Sequence, residues 1–91
     1  MALIHINTQV GTTSNLLVKV NPGVQQTAVQ IYNNTGATIY LGDKSITATG
    51  ATIGNALATG SSVQIWLCAN DELYAICATS PSGYVSAIYS G

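Results

Sequence analysis

The sequence has no arginine and no phenylalanine, and only five of its 91 residues carry a formal charge: Lys19, Asp43, Lys44, Asp71 and Glu72. That is 5% of the chain, against about 25% in an ordinary soluble domain. A nucleic-acid binder clusters cations to neutralise phosphates, and two separated lysines form no such footprint. The same shortage excludes a polybasic contact with a membrane surface. One histidine and two cysteines fall short of a closed zinc site, and the two adjacent carboxylates of Asp71 and Glu72 make a thin calcium cage. No metal and no cofactor is expected. No apolar run approaches the roughly 18–20 residues of a membrane span. The opening MALIHINTQV lacks the basic start and small-residue cleavage site of a signal peptide. A soluble chain made in a cytoplasm is the expectation.

What is present is apolar and uncharged polar. Hydrophobic residues make up 47% of the chain, whereas disordered chains are apolar-poor and highly charged. The length allows one small domain, which buries only about 60–65% of its unfolded surface and is marginal alone. With no disulfide framework or metal to compensate, oligomerisation is the remaining remedy. A nearly neutral surface points the same way, because it invites association unless it is covered.

The stretch Thr27 to Gly42, TAVQIYNNTGATIYLG, organises the chain. Val29 and Ile31 alternate with Gln30 and Tyr32, and Ile39 and Leu41 with Thr38 and Tyr40, the period of a half-buried strand. Asn33-Asn34-Thr35-Gly36 between them can take the positive φ values of a hairpin turn. Before it, Ile4, Ile6 and Val10 share one side of residues 2–10, with His5 and Asn7 on the other. This is an edge strand or an extended arm, followed by the polar break 11–15. Leu16, Val18 and Val20 share a face of the next strand, and Asn21-Pro22-Gly23 is a turn. After the turn Gly42-Asp43-Lys44, residues 45–49 read as a short exposed strand. Residues 50–60 form a loop anchored by Ile53 and Leu57. Val63, Ile65 and Leu67 face one way in a strong strand, with Gln64 and Trp66 facing the other. Residues 73–78 are continuously apolar and read as a strand covered on both faces, and residues 84–89 are the last strand. No segment sustains a helical period over ten residues. The fold class is all-β: a small antiparallel β-sandwich or jelly-roll-like barrel of about seven to eight short strands, without significant helix. The division is an N-terminal strand or arm over 1–23 and a sandwich domain over 24–91.

Catalytic readings fail on chemistry. His5 is the only imidazole, and no nucleophile or orienting acid is marked as its partner, so an exposed strand histidine is the plainer reading. No enzyme is expected. Asp71 is explained by turn chemistry, and Gly36, Gly42, Gly50, Gly54 and Gly60 are turn glycines with no phosphate-cradling motif. If Asn70-Asp71 is the tip of a 63–78 hairpin, Cys68 opposes Leu73 and Cys77 opposes Gln64, too far apart to bridge. Two buried free thiols follow, unless the register shifts. In that register Trp66 shares a face with Leu73 and Ala75 while Ile65 and Leu67 share the other with Tyr74 and Ile76, so both faces are apolar. One lines the core; the other is covered by a subunit contact or by loop 50–60. Tyr32, Tyr40, Trp66, Leu73, Tyr84 and Tyr89 are the candidate interface residues, with Ile4 and Ile6 for the N-terminal stretch, because interface cores are rich in Tyr and Trp.

The order VQIYNNTGATIYLG, DKSITATGATIGNALATGSSVQIWL, NDELYAICA and a short last strand ending in Gly resembles the small β-sandwich modules of tailed-phage virions. The matching features are the Asn-Thr-Gly turn, the strand end Tyr40-Leu41-Gly42, the strand Ser62 to Leu67 and the strand Asp71 to Ile76. The resemblance covers roughly 24 to 91 and leaves 1–23 outside; the uncharged final strand departs from it. Such modules include capsid decoration, or cement, proteins. The resemblance therefore implies a homotrimer on the virion's outer shell that bridges subunits of the major capsid protein and stabilises the head. The alternative is a glycan-binding or adhesin-like module of a phage head or tail fibre, with exposed Trp66 or a tyrosine as its stacking platform.

Overall fold

The computed structural model describes residues 3–90, and among these no helix forms. Eight strands follow one another: β1 (Leu3–Thr8), β2 (Asn15–Lys19), β3 (Gln26–Asn34), β4 (Ile39–Gly42), β5 (Asn55–Leu57), β6 (Ser62–Cys68), β7 (Glu72–Cys77) and β8 (Tyr84–Ser90). They form two antiparallel four-stranded sheets, sheet A in the order β1-β8-β3-β6 and sheet B in the order β2-β7-β4-β5. The expected all-β sandwich is the observed fold. Residues 3–23 supply one strand to each sheet, β1 beside β8 and β2 beside β7.

The topology has a simple logic. β1 pairs with β8, β2 with β7, β3 with β6 and β4 with β5, as in one long ribbon folded double at the β4–β5 loop. The ribbon then wraps so that β3 also meets β8 and β4 meets β7. This is a double-sheet jelly roll. Alternation decides what lies between the sheets: Val29, Ile31, Val85 and Ala87 from sheet A meet Val18, Ile39, Leu41 and Ala75 from sheet B.

Two expected hairpins are instead corners between the sheets. β3 and β4 never pair, because the turn at 33–36 carries the chain across the sandwich. Asn33 directs it: with 0% exposure, its Nδ2 donates to the carbonyls of Ala37 and Leu57, both at 2.8 Å. Its Oδ1 accepts from the Thr35 N–H at 3.0 Å and the Thr35 hydroxyl at 2.7 Å. A side chain turned inward thus takes the bonds that a neighbouring strand would have taken, and Gly36 supplies the positive φ of 90°. The second corner is Ala69-Asn70, where Asn70 takes a φ of 66°. It is fastened to the end of β2, with Asn70 N–H donating to the Val20 carbonyl and Val20 N–H to the Asp71 carbonyl, each at 3.0 Å. Cys68 therefore stands opposite Gln26, not Leu73, and Trp66 opposite Ala28.

Smaller expectations also shift. Leu17 is an extra residue in β2, where the register steps between Leu16 and Val18. This bulge turns Leu17 inward at 3% exposure and Leu16 outward at 44%, against the simple alternation. Residues 45–49 form no strand beyond a single bridge from Thr47 to Ile53. Ile53 is exposed, and Ile46 is the buried anchor of this loop, filling the space a side chain at Gly42 would need. β7 buries Leu73, Ala75 and Cys77 toward the core and Ile76 on the opposite side, whereas Ala78 lies beyond the strand and is exposed.

Candidate functional site

The outer face of sheet A holds three of the eight candidate interface residues, Tyr32, Trp66 and Tyr84, together with His5. In one row His5, Ile88, Gln30 and Gln64 stand side by side; in the next, Asn7, Ser86, Tyr32 and Ser62. A third places Leu3 beside Ser90 and Trp66 beside Ala28, while Tyr84 lies opposite Asn34. Trp66 is 62% and Leu3 71% exposed, and Tyr32, Tyr84 and Ile88 are also exposed. No Asp, Glu, Lys or Arg points from any of these positions. All five charges belong to sheet B or to loops: Lys19 and Glu72 pair at 3.7 Å across β2 and β7, Asp43 and Lys44 sit in the β4–β5 loop, and Asp71 in the β6–β7 corner.

The other candidates fall elsewhere. Leu73 and Tyr89 are core residues, each buried between the sheets. Ile4 and Ile6 face the same core from β1 and are partly covered. Tyr40 is half-buried in β4, with Ile76 and Ala56 as its cross-strand neighbours. Only Tyr32, Trp66 and Tyr84 of the eight share one outer face. Leu3 and Ile88 complete that face and were not singled out, although the period of two in LIHINT and YVSAIYS places both outward once one residue of each strand is known to face in.

The polar groups are committed to structure. Asp43 Oδ1 accepts from the N–H and hydroxyl of Ser45, and Asp71 Oδ2 from the Cys68 N–H at 2.7 Å. Glu72 takes Lys19 and the Tyr74 hydroxyl. Loss of solvent around Tyr74, then the charge and hydrogen bond of Glu72, holds that phenol above its usual pKa. His5 Nε2 lies 2.9 Å from the Ser86 hydroxyl, a diagonal cross-strand bond on the uncharged face. With each carboxylate engaged elsewhere, this pair has no acid to orient the ring as a nucleophile's base requires. Among the described residues no three metal-ligating side chains converge. The cysteines correct one expectation: Cys77 is buried, but Cys68 points outward and is exposed, because it closes β6 on the same face as Trp66.

The two sheets also differ at their edges. In sheet B, β2 carries the bulge and Lys19, and β5 has three residues. In sheet A the edge strands are β1 and β6, of six and seven residues, with no proline, charge or bulge in either.

No known family model matches the chain, and no curated protein matches it in sequence. A solved structure does match in fold: a Bacillus endospore appendage, from a family of disulfide-linked pili, at a TM-score of 0.59 and 20% identity. The match covers 97% of this chain and 83% of that one. The likeness is one of fold. It overturns the role implied by the phage resemblance, because the shared fold belongs to a structural protein of another kind. The capsid decoration role, with its phage-fibre alternative, is not retained.

Proposed function

We propose that this chain is a non-enzymatic structural subunit that works by associating with copies of itself. The observation that carries this reading is the segregation of charge. One whole outer sheet face, rich in exposed aromatic and aliphatic side chains, bears no formal charge, while the few charges lie on the other sheet, in its β4–β5 loop and in the β6–β7 corner. Charge depletion with aromatic enrichment is the composition of an interface core, and a sheet without formal charge brings no electrostatic repulsion between like copies. The fold shared with a pilus subunit supports the same class of role.

The covalent linking named for that pilus does not transfer simply. Cys77 is sealed inside the sandwich, so Cys68 is the one thiol among the described residues open to another chain. One reachable thiol joins copies only in pairs, so extended assembly rests on non-covalent contact. Sedimentation velocity over a concentration series, under reducing conditions, tests the reading. The expected result is a mass that rises above the 9.4 kDa of one chain as concentration increases. A monomer at every concentration overturns it.

A further inference from the structure

We infer that copies of this chain join edge to edge through sheet A, with β6 of one copy against β1 of the next. The inference rests on the self-association reading and specifies its surface. An open sheet edge presents unpaired backbone N–H and C=O groups and is a template for another strand, which is why edges are usually blunted by charge, proline, bulges or short length. Sheet B is blunted in three of these ways, whereas neither edge strand of sheet A carries a charge, proline or bulge, and Asp71 from the β6–β7 corner takes up only the last amide of β6, that of Cys68. The core is also unfinished at both edges of sheet A. Ile4 and Ile6 on β1, and Val63 and Ile65 on β6, face inward but stay partly exposed, whereas Val29, Ile31, Val85 and Ala87 between them are all but inaccessible. The two apolar lips lie at opposite edges of one molecule, so each covers the other only across copies.

The polarity fits. From β1 through β8 and β3 to β6 the chain reverses three times, so β1 and β6 run antiparallel. A second copy moved sideways along the sheet, without inversion, therefore meets β6 with an antiparallel β1. The backbone fits as well. The Cys68 N–H turns away from β3 to reach Asp71, and Asn33 N–H bonds the Ser61 carbonyl on the β3 side. In an antiparallel ladder alternate residues point to opposite edges, so Gln64 and Trp66 turn their amides and carbonyls to the open side. His5 and Asn7 share the outer face with them on a strand of opposite direction, so their backbone groups turn to the other open side.

These conditions fix a register. Trp66 pairs with His5, Gln64 with Asn7, Ile65 with Ile6, Leu67 with Ile4 and Cys68 with Leu3. It keeps inward residues inward and uses all of β1. Each copy advances the sheet by four strands, about 19 Å, and sheet twist winds the ribbon helically. A head-to-tail contact of this kind does not close into a dimer.

The register places Leu3 of one copy against Cys68 of the next, within disulfide reach, and this gives the test. Leu3→Cys is a change at an exposed position. Oxidised at concentrations where the wild type associates, it is expected to give a ladder of covalent species in steps of one chain. The ladder is expected to vanish in Leu3→Cys with Cys68→Ser. Dimers only, or no cross-link, in a protein that does associate would overturn the edge contact and leave self-association standing. A wild type that stays monomeric overturns both. In a second arm, Gln64→Lys with Trp66→Lys places two cations on β6; with an unchanged circular dichroism spectrum, a shift to monomer is expected, and undiminished assembly overturns the inference.

Discussion

Asn33 is the residue on which the fold turns. It is uncharged, wholly buried, and engaged by four hydrogen bonds inside the β3–β4 corner. Asn33→Ala takes a donor from the buried Leu57 carbonyl and the acceptor from the Thr35 N–H, while the Thr35 hydroxyl and the Ala37 carbonyl keep their bond to each other; each lost bond is worth about 1–3 kcal/mol. A destabilisation of roughly 3 kcal/mol or more is expected in urea unfolding, a large part of the 5–15 kcal/mol typical of a domain. Tyr74 makes a quieter contribution. Its folded pKa lies above the unfolded value near 10, so the fold favours the protonated phenol. That stability is fully present below the unfolded pKa and is lost as pH rises through the folded one. Comparing wild type with Tyr74→Phe by thermal melts across pH 9–12, we expect the wild type to lose more stability on the alkaline side.

At the scale of elements, β2 shows how one extra residue redirects a strand. The bulge at Leu17 puts that side chain in the core and leaves Leu16 in solvent. Leu17→Ala is expected to cost about 2–5 kcal/mol, the usual range for truncating a buried leucine, while Leu16→Ala is expected to stay within about 0.5 kcal/mol of wild type. Equal effects in denaturant titrations would mean that the two leucines are not divided in this way. The same bulge, with Lys19, also blunts this edge of sheet B, so one local irregularity serves both the core and the surface. β6 has no such device, and its outward row from Gln64 through Trp66 to Cys68 is as regular as an interior strand's.

For the whole molecule, every connection except β4–β5 passes from one sheet to the other. Local hairpins therefore contribute little, and the termini are joined by the β1–β8 pair, from Leu3–Ser90 to Thr8–Val85. A domain this small, with partly covered residues along both edges of sheet A, gains stability from any partner that binds only the folded form. Self-association therefore has a thermodynamic signature beside the hydrodynamic one: the melting temperature is expected to rise with protein concentration. A melting temperature that does not move would agree with a monomeric sedimentation profile and overturn the reading at the same scale.

By itself the sequence determined the class of fold. Period-two alternation in β3, β6 and β1 told which side chains face in, since that depends on neighbours along the strand alone. The scarcity of charge, one imidazole and two thiols leave nucleic-acid and metal chemistry little to build on. The positions of the turns were legible too, at Asn33–Gly36 and Asn70–Asp71, because positive φ is a local demand. Which strands those turns join was not legible. A hairpin and an inter-sheet corner draw on the same residues, and the difference lies in whether Asn33 finds Leu57, or Asn70 finds Val20, partners distant in the chain. The bulge at Leu17, the exposure of Cys68 and the contrast between guarded and open edges are likewise properties of pairing. Only the tertiary structure decided them, because strand order is set by contacts that no single stretch of sequence contains.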